Sequence, residues 1–123
     1  DYKPVHPSTT KIKKQNLTNS GLNLELVETK DILKELGKLK TSQFLVGFAL
    51  ETNNVLAYAA KKLKAKNLDI IIANSASDNG SGFGTDTNKI SIIDKHNNIT
   101  NFELKSKREV AKDIIQYINA FSK

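Results

Sequence analysis

The sequence predicts an α/β domain with three layers, a mostly parallel sheet and an antiparallel hairpin near the C-terminus. Segments whose apolar residues recur at helical spacing alternate with short unbroken apolar runs, the pattern of helices packed on a buried sheet. Two later runs, Lys89 to Asp94 and Ile99 to Leu104, flank His96-Asn97-Asn98 and read as the hairpin. With 38% hydrophobic and 26% charged residues, the composition favours a folded domain over a disordered chain.

The elements follow in order. Pro4 and Pro7 keep the first ten residues extended, as a loop rather than a helix. Asn19-Ser20-Gly21 is a turn signal, after which Leu22, Leu24 and Leu26 alternate with polar residues as in a half-buried strand. A helix is expected from about Asp31 to Lys40, with Ile32, Leu33 and Leu36 on its apolar face and Thr29 as N-cap. Phe44 to Leu50 is unbroken apolar sequence, the signature of a buried parallel strand. Thr52 or Asn53 caps the next helix, which runs to about Lys66 and points Val55, Leu56, Ala59, Ala60 and Leu63 at the core. Leu68 to Ala73 is a second buried strand. Asn74 to Asn88 is a loop rich in Gly, Ser and Asn. Ser106 and Glu109 have capping-box spacing at the start of the last helix, whose buried face is Val110, Ala111, Ile114, Ile115 and Ile118.

Composition excludes several functions. The chain has no cysteine, so disulfides, thiolate nucleophiles and zinc ribbons are out, which fits a cytoplasmic protein. No apolar run reaches the roughly 20 residues a membrane helix needs, and no secretory leader is visible. Nineteen Lys plus Arg against 13 Asp plus Glu leave a net charge of +6, which points to anionic partners. A single arginine, Arg108, and the absence of Trp argue against nucleic acid and for a nucleotide or phosphorylated metabolite. The chain opens on Asp1-Tyr2-Lys3-Pro4 without an initiator Met, so a start inside a domain is expected.

Two constellations carry possible chemistry. Lys11, Lys13 and Lys14 form one basic group, and Lys61, Lys62, Lys64 and Lys66 another. Lys62 and Lys66 share a helix face, with Tyr58 one turn before them. Like charges at that spacing repel, and a bound polyphosphate would offset the repulsion. The plain alternative is that lysines favour a helix C-terminus, where the dipole is negative. The loop at Gly80 to Asn88 contains Gly-Ser-Gly-Phe-Gly but is neither a Walker loop nor a dinucleotide fingerprint, because no Gly-Lys-Ser/Thr follows and it leads into a strand. It reads equally as a lid over a substrate, with Gly82, Phe83 and Gly84 at its centre, or as a surface loop. Asn74 stands where the second buried strand ends, the edge at which open α/β sheets bind ligands; a strand-ending turn is its alternative reading. Asp1 suits a ribose or a metal, or is merely solvated. Asp69 is read as a capping or pairing residue. His6 and His96 lack ligand spacing, and no serine stands in a nucleophile elbow.

The ordered set Asp1-Tyr2-Lys3-Pro4, Lys11-Ile12-Lys13-Lys14-Gln15, Lys30-Asp31-Ile32-Leu33, Leu45-Val46-Gly47-Phe48-Ala49-Leu50-Glu51-Thr52, Lys62-Leu63-Lys64-Ala65-Lys66-Asn67-Leu68-Asp69, Ala73-Asn74, Gly82-Phe83-Gly84-Thr85-Asp86-Thr87-Asn88 and Lys105-Ser106-Lys107 resembles the phosphopantothenate–cysteine ligase family. The resemblance covers nearly the whole chain. It implies that residues 1–123 are the C-terminal portion of a ligase domain with a Rossmann-like fold, incomplete as it stands. In many bacteria that domain follows a flavin-dependent decarboxylase, so FMN is expected only if such a domain is fused upstream.

The resemblance further implies a two-step reaction. The carboxylate of 4′-phosphopantothenate attacks the α-phosphate of CTP, pyrophosphate leaves, and an acyl-cytidylate forms. The amine of L-cysteine then attacks the acyl carbon and CMP leaves. Mg²⁺ accompanies the triphosphate. Carried over by position, Asp1 matches an acidic residue that contacts the nucleotide, and Lys11 matches a lysine implicated in turning over the acyl-nucleotide. Phe44, Lys62 and Lys66 match further nucleotide-site positions. One departure is Glu28-Thr29-Lys30-Asp31, where the family often has Lys-Asn-Pro-Asp; it puts base preference in question. The family's glycine-rich phosphate loop lies upstream of the matched stretch, so this chain alone is expected to be inactive. A homodimer, a small-molecule ligand set, and neither nucleic-acid nor membrane partners are the remaining expectations.

Overall fold

The computed structural model describes residues 1–13, 21–78, 80–81 and 84–121. They fall into two compact units, Asp1–Ile32 and Leu33–Lys123.

The first unit is built on a two-stranded antiparallel ribbon, β1 (Tyr2–Pro4) against β2 (Leu26–Glu28). The expectation of a loop over the first ten residues is corrected at Tyr2–Pro4, where Pro4 ends a strand in register with Leu26. Proline is tolerated there because the ribbon leaves edges on which no N–H is required. The alternation from Leu22 to Leu26 forms a strand only at its end, and Leu22, Leu24 and Leu26 are all exposed. Thr29 is not the helix cap. Its amide and hydroxyl both donate to the Asp1 carbonyl, at 2.9 and 3.2 Å, and so extend the ribbon.

The second unit holds a four-stranded sheet in the order β3 (Val46–Glu51), β4 (Ile70–Ser75), β6 (Ser91–Asp94), β7 (Ile99–Asn101). β3 and β4 run parallel, as their unbroken apolar sequences suggest, while β4–β6 and β6–β7 are antiparallel. The sheet is therefore mixed, with one parallel pair among the described residues, which corrects the mostly parallel expectation. The hairpin forms where predicted, and Asn97 takes a left-handed φ of 66° in its turn. A second pair of short strands, β5 (Thr87–Asn88) and β8 (Lys105–Ser106), ties the loop to the start of the last helix.

Strand alternation sorts the core onto two faces. Ala49, Ile71, Ala73 and Ile93 pack with Ala59 and Leu63 of α2 (Val55–Ala65). Ile70, Ile72 and Ile92 pack with Val110, Ile114, Tyr117 and Ile118 of α3 (Lys107–Phe121). Each fully buried isoleucine contributes on the order of 2 kcal/mol. β3 does not meet the expectation of burial on both faces. Val46 reaches the α3 cluster, but Phe48, two residues further along this outer strand, is 70% exposed.

The helix ends show local chemistry. The capping box at α3 forms: the Ser106 amide and hydroxyl donate to Glu109 Oε2 at 3.1 and 2.6 Å, and the Glu109 amide donates back to Ser106 Oγ at 3.3 Å. At α2 neither Thr52 nor Asn53 caps. The N-cap is Asn54, in a left-handed conformation with no side-chain cap, while the Thr52 carbonyl accepts from Ser77. α1 (Ile32–Leu39) rests on the turn after α2, where the Asn67 side chain donates to the Gly37 carbonyl at 3.0 Å. A methyl on Gly37 would stand 1.9 Å from the Lys66 carbonyl oxygen, so only glycine permits that approach.

Candidate functional site at the strand ends

At one edge of the four-stranded sheet β3 and β4 end, β6 begins and β7 ends. An open cleft of about 620 Å³ lies there, bordered by the α2 start, the end of β4 and the hairpin. Its chemistry comes from Asn74, Ser75, Asp78, Lys89, Asn101 and Glu103. Asp78, Lys89 and Glu103 are exposed, and none of them forms an ion pair among the described residues. Asn74 donates to Asn88 Oδ1 at 3.3 Å, and Ser81 Oγ donates to the same oxygen at 2.5 Å. Asn88 thereby fastens the following loop to the strand end. Thr87 Oγ1 adds a 2.6 Å bond to the Gly80 carbonyl. The described flanks of the loop, read from sequence equally as a lid or a surface loop, are thus bonded to each other. Gly84 is exposed with φ 75°, a left-handed conformation that glycine adopts without strain; Gly82 and Phe83 lie outside the described residues.

The opposite edge, where β3 and β4 begin, is organised around Asp69. This carboxylate is buried and accepts from Lys40 Nζ at 2.6 Å, the Leu45 amide at 2.8 Å and Lys95 Nζ at 3.2 Å. Burial raises its pKa, but the hydrogen bonds from Lys40, the Leu45 amide and Lys95 outweigh that and hold it below the ordinary carboxylate value. A hollow of about 390 Å³ sits over this edge, with Phe44 and Phe121 among its walls. Asp94 closes the hairpin at the same edge. Burial raises its pKa too, and the Asn98 side chain with the Asn98 and His96 amides brings it below the ordinary value.

The sequence-predicted residues are distributed as follows. Asp1 and Lys11 belong to the first unit, and Lys14 and Gln15 lie outside the described residues. Phe44 is half-buried at the entrance of β3, in edge-to-face contact with Phe121 at 5.7 Å. Lys62 donates to Glu51 Oε1 at 2.6 Å, at the exit of the same strand. Phe44 and the Lys62–Glu51 pair therefore stand at opposite ends of β3. Lys66 forms the α2 C-cap, its amide donating to the Lys62 carbonyl at 3.0 Å. Of the described residues in the predicted set, only Asn74 lines the cleft.

Sequence reasoning missed Asp78, Lys89 and Glu103. Asp78 lies shortly after β4, Lys89 shortly before β6 and Glu103 shortly after β7, positions that converge only through the antiparallel pairing of β4, β6 and β7. It also missed Phe48, whose exposed ring lies inside an apolar run that reads as core. Among the described residues no three His, Asp or Glu side chains converge as a metal cage, and no helix is long and apolar enough to cross a membrane.

The sequence profile of the DNA/pantothenate metabolism flavoprotein C-terminal domain matches residues 1–121. A relative named cysteine/cysteine sulfinic acid decarboxylase, from an unknown prokaryotic organism, is 53% identical over 120 residues, covering 96% of this chain and 32% of that protein. The coenzyme A biosynthesis bifunctional protein CoaBC of Bacillus subtilis is 48% identical over 123 residues, all of this chain and 30% of that protein. The crystal structure of the C-terminal domain of a CoaBC protein superposes with a TM-score of 0.71 at 35% identity, covering 96% of this chain and 47% of that one. The chain thus spans about a third of the curated relatives.

Proposed function

The chain belongs to the DNA/pantothenate metabolism flavoprotein C-terminal domain family, and from that membership we propose that it is part of a phosphopantothenate–cysteine ligase acting in coenzyme A biosynthesis. The observation that carries this is the 48% identity to a coenzyme A biosynthesis protein across all 123 residues. The reaction joins 4′-phosphopantothenate to L-cysteine through an acyl-cytidylate, releasing pyrophosphate and then CMP. A cytoplasmic setting goes with those substrates.

Acyl transfer of this kind needs charge neutralisation at the phosphates and close placement of two reactants. Lys62 and Lys66 are assigned to the triphosphate, Asp1 to the nucleotide, and Lys11 to turnover of the acyl-nucleotide. Phe48 offers a more open ring for the base than Phe44, which is half-buried against Phe121. Mg²⁺ is assigned to the triphosphate oxygens, as Mg²⁺ commonly is, rather than to a protein-built cage. A Rossmann-like whole domain with a glycine-rich phosphate loop outside residues 1–123 completes the site, so this segment alone is assigned no turnover. The exposed Tyr2 and Leu26 on the ribbon suit a homodimer contact.

The test uses the full-length protein with CTP, 4′-phosphopantothenate and cysteine. CTP and 4′-phosphopantothenate alone should release pyrophosphate, and CMP should follow only when cysteine is added. CO₂ release from cysteine or its sulfinate without CTP would instead favour the chemistry in the name of the 53%-identical relative. Lys11→Gln should let acyl-cytidylate accumulate, seen as a pyrophosphate burst with little product. A wild-type product rate would remove Lys11 from its role.

A further inference from the structure

We infer that the cleft at the strand ends is the subsite for the amino-acid co-substrate, with Lys89 for its carboxylate and Asp78 and Glu103 for its ammonium. This rests on the ligase reading above.

The charge inventory decides against a polyphosphate here. Lys89 supplies one positive charge, and Asp78 and Glu103 supply two negative ones. A net negative wall repels a triphosphate, which needs several cations at once. A zwitterion has the opposite requirement. Its carboxylate needs one cation and a few N–H donors, and its ammonium needs carboxylates. Lys89 meets the first need, assisted by the first turn of α2, where Val55 and Leu56 line the cleft and the helix leaves its initial amides without intrahelical partners. Asp78 and Glu103 meet the second.

These three charged groups are also uncommitted. At the opposite edge, by contrast, Lys40 and Lys95 are bound to Asp69. Lys89 and Glu103 flank the hairpin strands on either side of the Phe102-to-Ile90 backbone bond, yet no ion pair joins them. Two opposite charges held near one another without pairing leave both available to a ligand that carries both signs. At about 620 Å³ the cleft also has room for the acyl chain that the amine must meet.

The test compares L-cysteine with cysteamine, which has the thiol and the amine but no carboxylate. The full-length protein is assayed with CTP and 4′-phosphopantothenate fixed. Lys89→Ala should raise KM for cysteine about tenfold or more, leave KM for CTP unchanged, and erase the preference of cysteine over cysteamine. Lys89→Arg should recover most of that preference. An unchanged cysteine-to-cysteamine ratio in Lys89→Ala overturns the assignment. So does an effect confined to KM for 4′-phosphopantothenate, which would give the cleft to the acyl substrate. The ligase reading fails separately, if wild-type protein releases no pyrophosphate from CTP and 4′-phosphopantothenate.

Discussion

At the edge of the sheet where β3 and β4 begin, a buried Asp69 accepts from Lys40, Lys95 and the Leu45 amide; where they end, Asp78, Lys89 and Glu103 are exposed and unpaired among the described residues. Both edges carry lysines and carboxylates, so residue type does not separate them. Commitment does. A buried carboxylate surrounded by donors is fixed, and removing one partner strands the others in a low-dielectric site. Exposed charges that face a cleft lose little when removed and are free to meet a ligand. The first edge is read as structural and the second as functional on that ground.

The sharpest break of this comparison is Asp69→Asn. It leaves Lys40, whose side chain is only 14% exposed, beside a neutral amide. We expect a loss of about 3 kcal/mol in urea unfolding at neutral pH. The pH dependence has a fixed sign. The pKa of folded Asp69 lies below its ordinary value of 3.8, so its contribution is complete above that value and is lost as pH falls through it toward the folded pKa. Wild type should therefore lose stability on acidification through this range more steeply than Asp69→Asn. Equal slopes would show that Asp69 is not the fastening point.

Gly37→Ala is expected to cost less, about 2 kcal/mol, through overpacking rather than charge. The added methyl would meet the Lys66 carbonyl, a backbone atom in the turn that carries Asn67 into β4. Its unfolding midpoint should fall without any change in acid slope, which separates packing from ionisation at this edge.

These contrasts also mark what could be read from sequence. Ile70 to Ala73, the α2 stripe of Ala59 and Leu63, the hairpin and the Ser106–Glu109 box were all legible, because each is a local pattern with one stable outcome. Thr29 was not, since its partner is the Asp1 carbonyl 28 positions away. Asp69 was legible as a pairing residue, but its partners were not, because Lys40, Leu45 and Lys95 come from distant stretches of the chain. Phe48 was mistaken for core because an apolar run shows composition, not where its strand lies in the sheet. In the cleft, Asn74 was legible from its place at a strand end. Lys89 and Glu103 were not, because only the antiparallel return of β6 and β7 brings them to that edge.

The smallest expected effect is the most informative about the second edge. Lys89→Ala should leave the urea midpoint within about 0.5 kcal/mol of wild type, because an exposed lysine without an ion partner has little to lose. Its acid limb should match wild type as well, since the Asp69 fastening is untouched. A cation that stabilises nothing in the folded chain, yet governs discrimination between cysteine and cysteamine, is held there for a ligand. A destabilisation comparable to that of Asp69→Asn would mean that Lys89 is fastened after all. The two edges would then differ in exposure but not in kind.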